Sequence, residues 1–330
     1  MSLDEDKAIS GHQDQDGEPL VHHKLEVGGM TPTDDAVHYE GAPTRTLWGD
    51  AWRRLRRNKL ALIGMSYILL MSLLAVTAPL WVPQVLGDPF FTDTTTLLER
   101  RLLPPSLQHP MGTDDLGRDE LGRVIYGARI SLSIGVVATI VSLFLGLIMG
   151  GLSGFYGGMT DASIMRLTDV FLAFPYILFA ILLISVMGPG VTSLVVAIGI
   201  LGWTTIARVF RSSILTVKEN EYVDAARAMG ANSGRILIRH IMPNSMAPII
   251  VYATMAVGGV ILSEAALSFL GLGVQPPTPS WGRMLSESQN YMTTYPWLFI
   301  WPGLAILLTV LAFVLLGDGL RDALDVKMKD

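Results

Sequence analysis

The sequence predicts an all-α polytopic membrane protein with six transmembrane helices. Half of its 330 residues are hydrophobic and the mean hydropathy is +0.45. The apolar residues are gathered into long runs with almost no charge, and the polar residues cluster between them. A run of roughly 20 apolar residues crosses about 30 Å of hydrocarbon as a helix. Six runs meet that length: Leu60–Val82, Ser131–Gly154, Leu167–Met187, Val191–Val209, Pro248–Leu270 and Leu298–Leu316. Core helices of soluble domains are usually shorter, and six such runs leave no surface to solubilise them.

Residues 1–45 read as a disordered, solvated tail. Ten of the 29 acidic residues lie in the first forty positions, so the net charge of −5 belongs mostly to this segment. It is not expected to be a cleavable signal, because the first apolar run comes late and is long enough to span. His12, His22, His23 and His38 share the tail. They read as incidental rather than as a metal site.

Residues 46–130 are expected to hold an amphipathic helix, the first span and an external loop. Leu47, Trp48, Ala51, Trp52 and Leu55 fall at helical spacing, which suits a helix lying on the inner membrane surface with its arginines toward lipid phosphates. Arg53, Arg54, Arg56, Arg57 and Lys59 then hold the start of the first span in the cytoplasm. Six crossings place Arg208 to Arg239, Arg321, Lys327 and Lys329 on that same side, with both termini inside. Arg118, Arg123 and Arg129 land outside and oppose this assignment. The external stretch Pro83–Arg129 is too long for a plain connection. Its segment His109–Asp119 is rich in turn residues, and Leu121, Val124, Ile125 and Ala128 mark a helix face leading into the second span.

Residues 131–330 form the expected core. Gly146, Gly150 and Gly154 recur every four residues in the second span, a spacing that lets membrane helices approach closely. They read as tight packing rather than as a moving contact. Pro175 should kink the third span, and Gly188-Pro189-Gly190 joins it to the fourth as an antiparallel hairpin.

The polar segment 211–243 between the fourth and fifth spans reads as two helices with a break. Tyr222, Ala225, Ala226 and Met229 share one face of the first helix, with Glu219 and Glu221 near its positive end. Gly230 ends it. Asn232 or Ser233 caps a second helix that puts Arg235 and Arg239 on one face and Leu237, Ile238 and Ile241 on another, and Pro243 stops it. The product is an elbow with an apolar and a basic face, a shape suited to docking into a groove on another protein.

Asp224-Ala225-Ala226, three residues, Gly230, nine residues and His240-Ile241-Met242-Pro243 resemble the EAA loop of bacterial ABC importer permeases. The departures are Asp for Glu at 224, His for Ile at 240 and Met for Leu at 242. His240 followed by Ile241-Met242-Pro243-Asn244 is similar to the dipeptide, oligopeptide and nickel branch of that family. So are Gly112–Asp119, Glu264–Gly273, Pro276–Gly282 and Leu316–Asp322, which resemble its C-type subunit. The resemblance runs from about residue 47 to the end.

The resemblance implies a type I importer fold in the bacterial cytoplasmic membrane, with the second elbow helix as the coupling helix. Glu221, Asp224, Ala225, Ala226, Gly230, Arg235, Arg239, His240 and Pro243 would then meet an ATPase. The implied partners are two ATP-binding subunits carrying ATP and Mg, a second homologous permease, an extracytoplasmic substrate-binding protein and membrane lipid. No cofactor, metal or nucleic acid is expected on this chain. The implied cargo is a di- or oligopeptide, with nickel or another solute as the alternative within the branch.

No lysine follows a glycine anywhere in the chain, so there is no GxxxxGK[ST] phosphate loop. HExxH and Gly-x-Ser-x-Gly are also missing, and the absence of cysteine excludes thiol chemistry and disulfides. An enzyme therefore lacks its groups. A proton-coupled secondary transporter would need paired repeats and midplane acids, and a channel would need a filter or charge ring.

Two acids lie inside apolar runs, where an unpaired charge is costly. Asp169 is one turn from Arg166 and reads as a local pair or a contact to the coupling region. Glu264 reads either as a substrate-pathway acid or as an interhelical hydrogen bond in the subunit pair.

Overall fold

The computed structural model describes residues 47–91 and 97–325, and their regular structure is helical apart from one isolated bridge, Thr113 to Asp119. The tail and its histidines lie outside the described residues.

Helix α1 (Leu47–Leu55) buries Ala51 and Leu55 against Ala61 and Ala323. Asn58 then caps α2 (Lys59–Val85), its side chain accepting from the Ala61 amide. Leu69, Leu70, Leu73, Val76 and Leu80 of α2 are exposed, as a lipid-facing helix requires. After a short turn of helix, α3 (Leu97–Arg100), comes α4 (Glu120–Tyr156), whose 37 residues exceed the predicted second span at both ends. Asp119 caps it through the Gly122 amide.

The third span is broken rather than kinked. Helices α5 (Gly158–Ala173) and α6 (Tyr176–Met187) meet at 88° across Phe174 and Pro175. Neither is long enough alone; counted as one broken span, the pair adds a sixth to the five long apolar helices α2, α4, α7 (Val191–Lys218), α11 (Ala247–Phe269) and α13 (Trp297–Leu324). Proline removes an amide donor and clashes with the carbonyl four residues back, which accounts for the position of the break.

Helices α4 and α7 form the closest pair. A Cβ on Gly146 would lie 2.5 Å from Ile206 Cγ2, and one on Gly150 2.5 Å from the Ala207 carbonyl oxygen. Gly154 meets Ile214 at 3.0 Å in the same way. The three glycines are packing residues: without side chains the two backbones touch and gain dispersion contacts that lipid cannot replace.

Between α7 and α11 lie α8 (Glu221–Ala228), α9 (Ser233–Ile236), a π-helical turn (Leu237–Ile241) and α10 (Met242–Asn244). At the opposite end of the bundle, α12 (Trp281–Ser288) packs beneath the 109–119 loop. Call these the elbow end and the loop end.

Candidate coupling and translocation site

Gly230 makes the bend of the elbow. Its φ is +80°, and the Ala231 amide donates to the Ala226 carbonyl at 3.1 Å while the Gly230 amide donates to Arg227 at 3.0 Å. These two bonds form a Schellman ending, which needs a left-handed residue just past the helix. Asn232 then caps α9 by accepting from the Arg235 amide at 2.8 Å.

Of the apolar residues expected to dock on a partner, Ala226 and Ile241 are instead buried within this chain. Val223 and Ala226 are buried on α8, whereas Tyr222, Ala225 and Met229 stay exposed. Further on, Ile236 and Ile241 are buried, Leu237 is half-buried and Ile238 is exposed. The π turn explains the second change. It hydrogen-bonds five residues apart, so Ile236 and Ile241 share a face that an α-helix would split.

Nor does Pro243 stop the helix. It sits in the first turn of α10, directly after the widened π turn, and the rod runs on to Ser245. The wider turn relieves the clash that proline makes with an α-helical carbonyl.

Val223, Ile236 and Ile241 pack with Phe155, Phe210, Ile214 and Ile249. Each buried aliphatic side chain contributes on the order of 2 kcal/mol, so the elbow is fastened to α4, α7 and α11. Ser213 Oγ donates to the Ser245 carbonyl at 3.1 Å, and Lys218 Nζ to the Phe155 carbonyl at 2.7 Å. Glu221, Asp224, Arg235, Arg239 and Pro243 are exposed and His240 is half-buried. Among the described residues Asp224 pairs with Arg227, at 2.9 Å on the open surface, where such a pair adds little.

Asp169 does not pair with Arg166. Its carboxylate meets Arg208 of α7 at 2.6 Å, and Asp161 takes Arg211 through two bonds of 2.5 and 2.6 Å. Two turns separate the acids on α5 and one turn separates the arginines on α7, so both pairs lie along one antiparallel seam. Arg166 and Asp169 share α5, and the Asp169 carboxylate turns to Arg208 across the seam rather than to its neighbour one turn back.

Glu264 is fully buried and accepts from three serines of its own chain: Ser268 at 2.7 Å, Ser131 at 3.0 Å and Ser280 at 3.0 Å. Ser131 Oγ in turn accepts from the Trp281 amide at 3.3 Å. The carboxylate thus joins α4, α11 and the start of α12 within one subunit.

Two features lacked a sequence signal strong enough to find them. At the loop end, Arg118 Nε meets Asp114 at 2.7 Å and Arg123 meets Glu287 at 2.6 Å, with Arg283 on Glu287 at 2.9 Å. Inside the bundle, a cavity of about 230 Å³, open at its mouth, lies between α4, α6, α7 and α11.

Residues 142–330 match the family described as the binding-protein-dependent transport system inner membrane component. Residues 46–105 match the N-terminal transmembrane domain of oligopeptide transport permease C. The chain belongs to this family of ABC importer permeases.

The permease is 44% identical over 301 residues to the dipeptide transport system permease protein of Alkalihalophilus pseudofirmus, covering 91% of this chain and 97% of that one. It is 44% identical over 284 residues to the oligopeptide transport system permease protein of Bacillus subtilis, at 86% and 91% coverage. The glutathione transport system permease protein of Pectobacterium atrosepticum is also 44% identical, over 285 residues, at 86% and 93% coverage. A solved inward-facing methionine ABC transporter shares the fold with a TM-score of 0.53 at 16% identity, covering 62% of the permease and 97% of that chain. A second structure, an amino acid ABC transporter with histidines, gives 0.50 at 17% identity, covering 61% and 94%. The permease therefore has the type I transmembrane fold.

Proposed function

We propose that this permease imports di- and oligopeptides across the bacterial cytoplasmic membrane, driven by ATP that separate subunits hydrolyse. The observation that carries the substrate class is its 44% identity, over nearly the whole chain, to a dipeptide permease and likewise to an oligopeptide permease. The family's own description supplies a binding protein as the source of substrate. A second homologous permease would complete the pathway, and two ATP-binding subunits would hold ATP and Mg.

The elbow is the part that meets an ATP-binding subunit. Met229 is 83% exposed, Ile238 68% and Tyr222 44%, while the opposite face is anchored in the bundle. Exposed apolar side chains on a rigid, capped scaffold suit a protein groove. Closure of two ATP-binding subunits would draw two elbows together. Because the elbow is packed on Phe210, Ile214 and Ile249, that motion would pass directly to α7 and α11 and tilt the walls of the pathway.

The test is purification with the neighbouring subunits, followed by uptake of a labelled dipeptide into vesicles with the binding protein present. Uptake should require ATP and the binding protein. A complex that hydrolyses ATP but takes up no peptide sinks the substrate class; ATP hydrolysis by the isolated chain sinks the division of labour.

A further inference from the structure

We infer that the cavity between α4, α6, α7 and α11 is this subunit's wall of the peptide path, and that it reads the peptide backbone with hydroxyl groups rather than charge. The inference rests on the reading of the chain as a peptide importer and says how that importer handles varied side chains.

The cavity offers five hydroxyls: Thr139 and Ser142 on α4, Tyr176 at the start of α6, and Tyr252 and Ser263 on α11. None of its ten lining residues is charged. Three of the hydroxyls already donate to backbone carbonyls: Thr139 to Gly135 at 2.7 Å, Ser142 to Gly199 at 2.9 Å and Ser263 to Gly259 at 2.9 Å. Their protons are committed, and their lone pairs can accept from a peptide amide. The two tyrosine hydroxyls can both donate and accept. The set therefore complements both halves of a peptide bond.

Its position argues for a pathway rather than a lipid-filled crevice. Irregular backbone at membrane depth persists only where protein buries it or where it lines a wet cavity. The one broken span bends at Phe174–Pro175, and the next residue, Tyr176, lines this cavity. Tyr252, Gly259 and Ser263 lie along one face of α11, and a Cβ on Gly259 would meet nothing within 4 Å. The trough along that face is about 16 Å long at 1.5 Å per residue, enough for a short extended peptide. Its volume of about 230 Å³ lies below the roughly 300–1,000 Å³ of complete small-ligand pockets, as a wall supplied by one of two subunits should.

The chemistry sets the selectivity. A wall without charge neither attracts nor repels a lysine or glutamate side chain, and in a low-dielectric site even one fixed charge would discriminate strongly. Peptides differing only in side-chain charge should therefore pass with similar KM.

The experiment uses the full transporter in vesicles. Gly259→Asp places a carboxylate in open space, so a glutamate-containing tripeptide should lose uptake about tenfold relative to a lysine-containing one. The wild type should treat the two within about twofold. Tyr252→Phe, which keeps the ring, should raise KM about fivefold for both peptides alike. A cysteine at Ser263 should react with a small thiol reagent and be protected by dipeptide, whereas one at the exposed neighbour Leu262 should not be protected. Unchanged selectivity in Gly259→Asp overturns the inference, as does a Ser263 cysteine that peptide fails to protect. A cysteine there that is shielded without peptide also overturns it, because the second permease would then fill the trough. A wild-type transporter that takes up neither tripeptide instead defeats the peptide reading itself.

Discussion

Arg211 grips Asp161 through two bonds of 2.5 and 2.6 Å, and this fork holds the first half of the broken span against α7. Ser153 adds a third contact to the same carboxylate from α4. The second ion pair of the seam, Arg208 with Asp169, has both side chains about half exposed. Paired geometry and partial burial make the first interaction the stronger one. Arg211→Ala should lower the stability of the detergent-solubilised permease by about 1–3 kcal/mol, the usual worth of a charged hydrogen-bonded pair. Arg208→Ala should cost less than about 1 kcal/mol. Thermal unfolding of both variants checks the order; equal losses would show that the fork adds nothing.

Gly230 is placed to test the elbow's bend. At φ +80° a side chain is strained although nothing crowds it. Left-handed backbone costs an ordinary residue about 1–2 kcal/mol, more if β-branched, and asparagine tolerates it best. Gly230→Val should leave membrane insertion intact while separating ATP hydrolysis from uptake. Gly230→Asn should keep most transport. Full uptake by the valine variant would show that the bend is not needed.

The Glu264 cluster predicts a stability effect without a selectivity effect. Removing the carboxylate leaves Ser131, Ser268 and Ser280 without their shared acceptor in a buried site. Glu264→Ala should cost about 3 kcal/mol or more, while Glu264→Gln, which keeps one acceptor oxygen, should recover much of it. A Glu264→Ala variant that is as stable as the wild type but has altered peptide preference would return this residue to the substrate pathway.

Asp115 in the loop is held above its ordinary value of 3.8, first by burial and next by the neighbouring Asp114 charge, with Arg118 opposing. The folded state then binds this proton more tightly than the unfolded state does. Its contribution to stability falls as pH rises through the raised value, and the penalty is complete at neutral pH. Asp115→Asn should raise the unfolding temperature at about pH 7 and lose that advantage well below pH 3.8, where both states are protonated. A gain independent of pH would assign the effect to something other than titration.

How far the sequence reached follows from what each residue depends on. The spans were readable because a 20-residue apolar run has few other fates. Gly230 was readable because only its own backbone sets the turn. The 88° break was half visible: Pro175 marks its place, but the angle comes from packing α5 on α7. The π turn was invisible, since its register is fixed by Ile241 reaching the cluster of Phe210, Ile214 and Ile249. For Asp169 the Arg166 alternative fell because nearness in sequence stood in for nearness in space; the better signal was Asp161 and Asp169 two turns apart facing Arg208 and Arg211 one turn apart. For Glu264 only Ser268, one turn on, was foreseeable; Ser131 and Ser280 arrive from other elements. The cavity's hydroxyls are spread over four helices, and no window of sequence gathers them.

Orientation is the prediction on which the coupling role depends. The basic cluster Arg53–Lys59 would place the elbow end in the cytoplasm, against which stood Arg118, Arg123 and Arg129 at the loop end. Two of these three are buried in ion pairs, Arg118 with Asp114 and Arg123 with Glu287. Paired and buried, they no longer present net charge to the membrane surface, and only Arg129 is left exposed. The chain has no cysteine, so single cysteines can be added without removing any. Ser233 on the elbow and Gln108 in the loop are both exposed. In intact cells an impermeant thiol reagent should label a cysteine at 108 and leave one at 233 untouched until the membrane is opened. Suppose the pattern is reversed. The elbow would then face away from the cell's ATP, and no packing of Ile236 and Ile241 into the bundle could make it a coupling element.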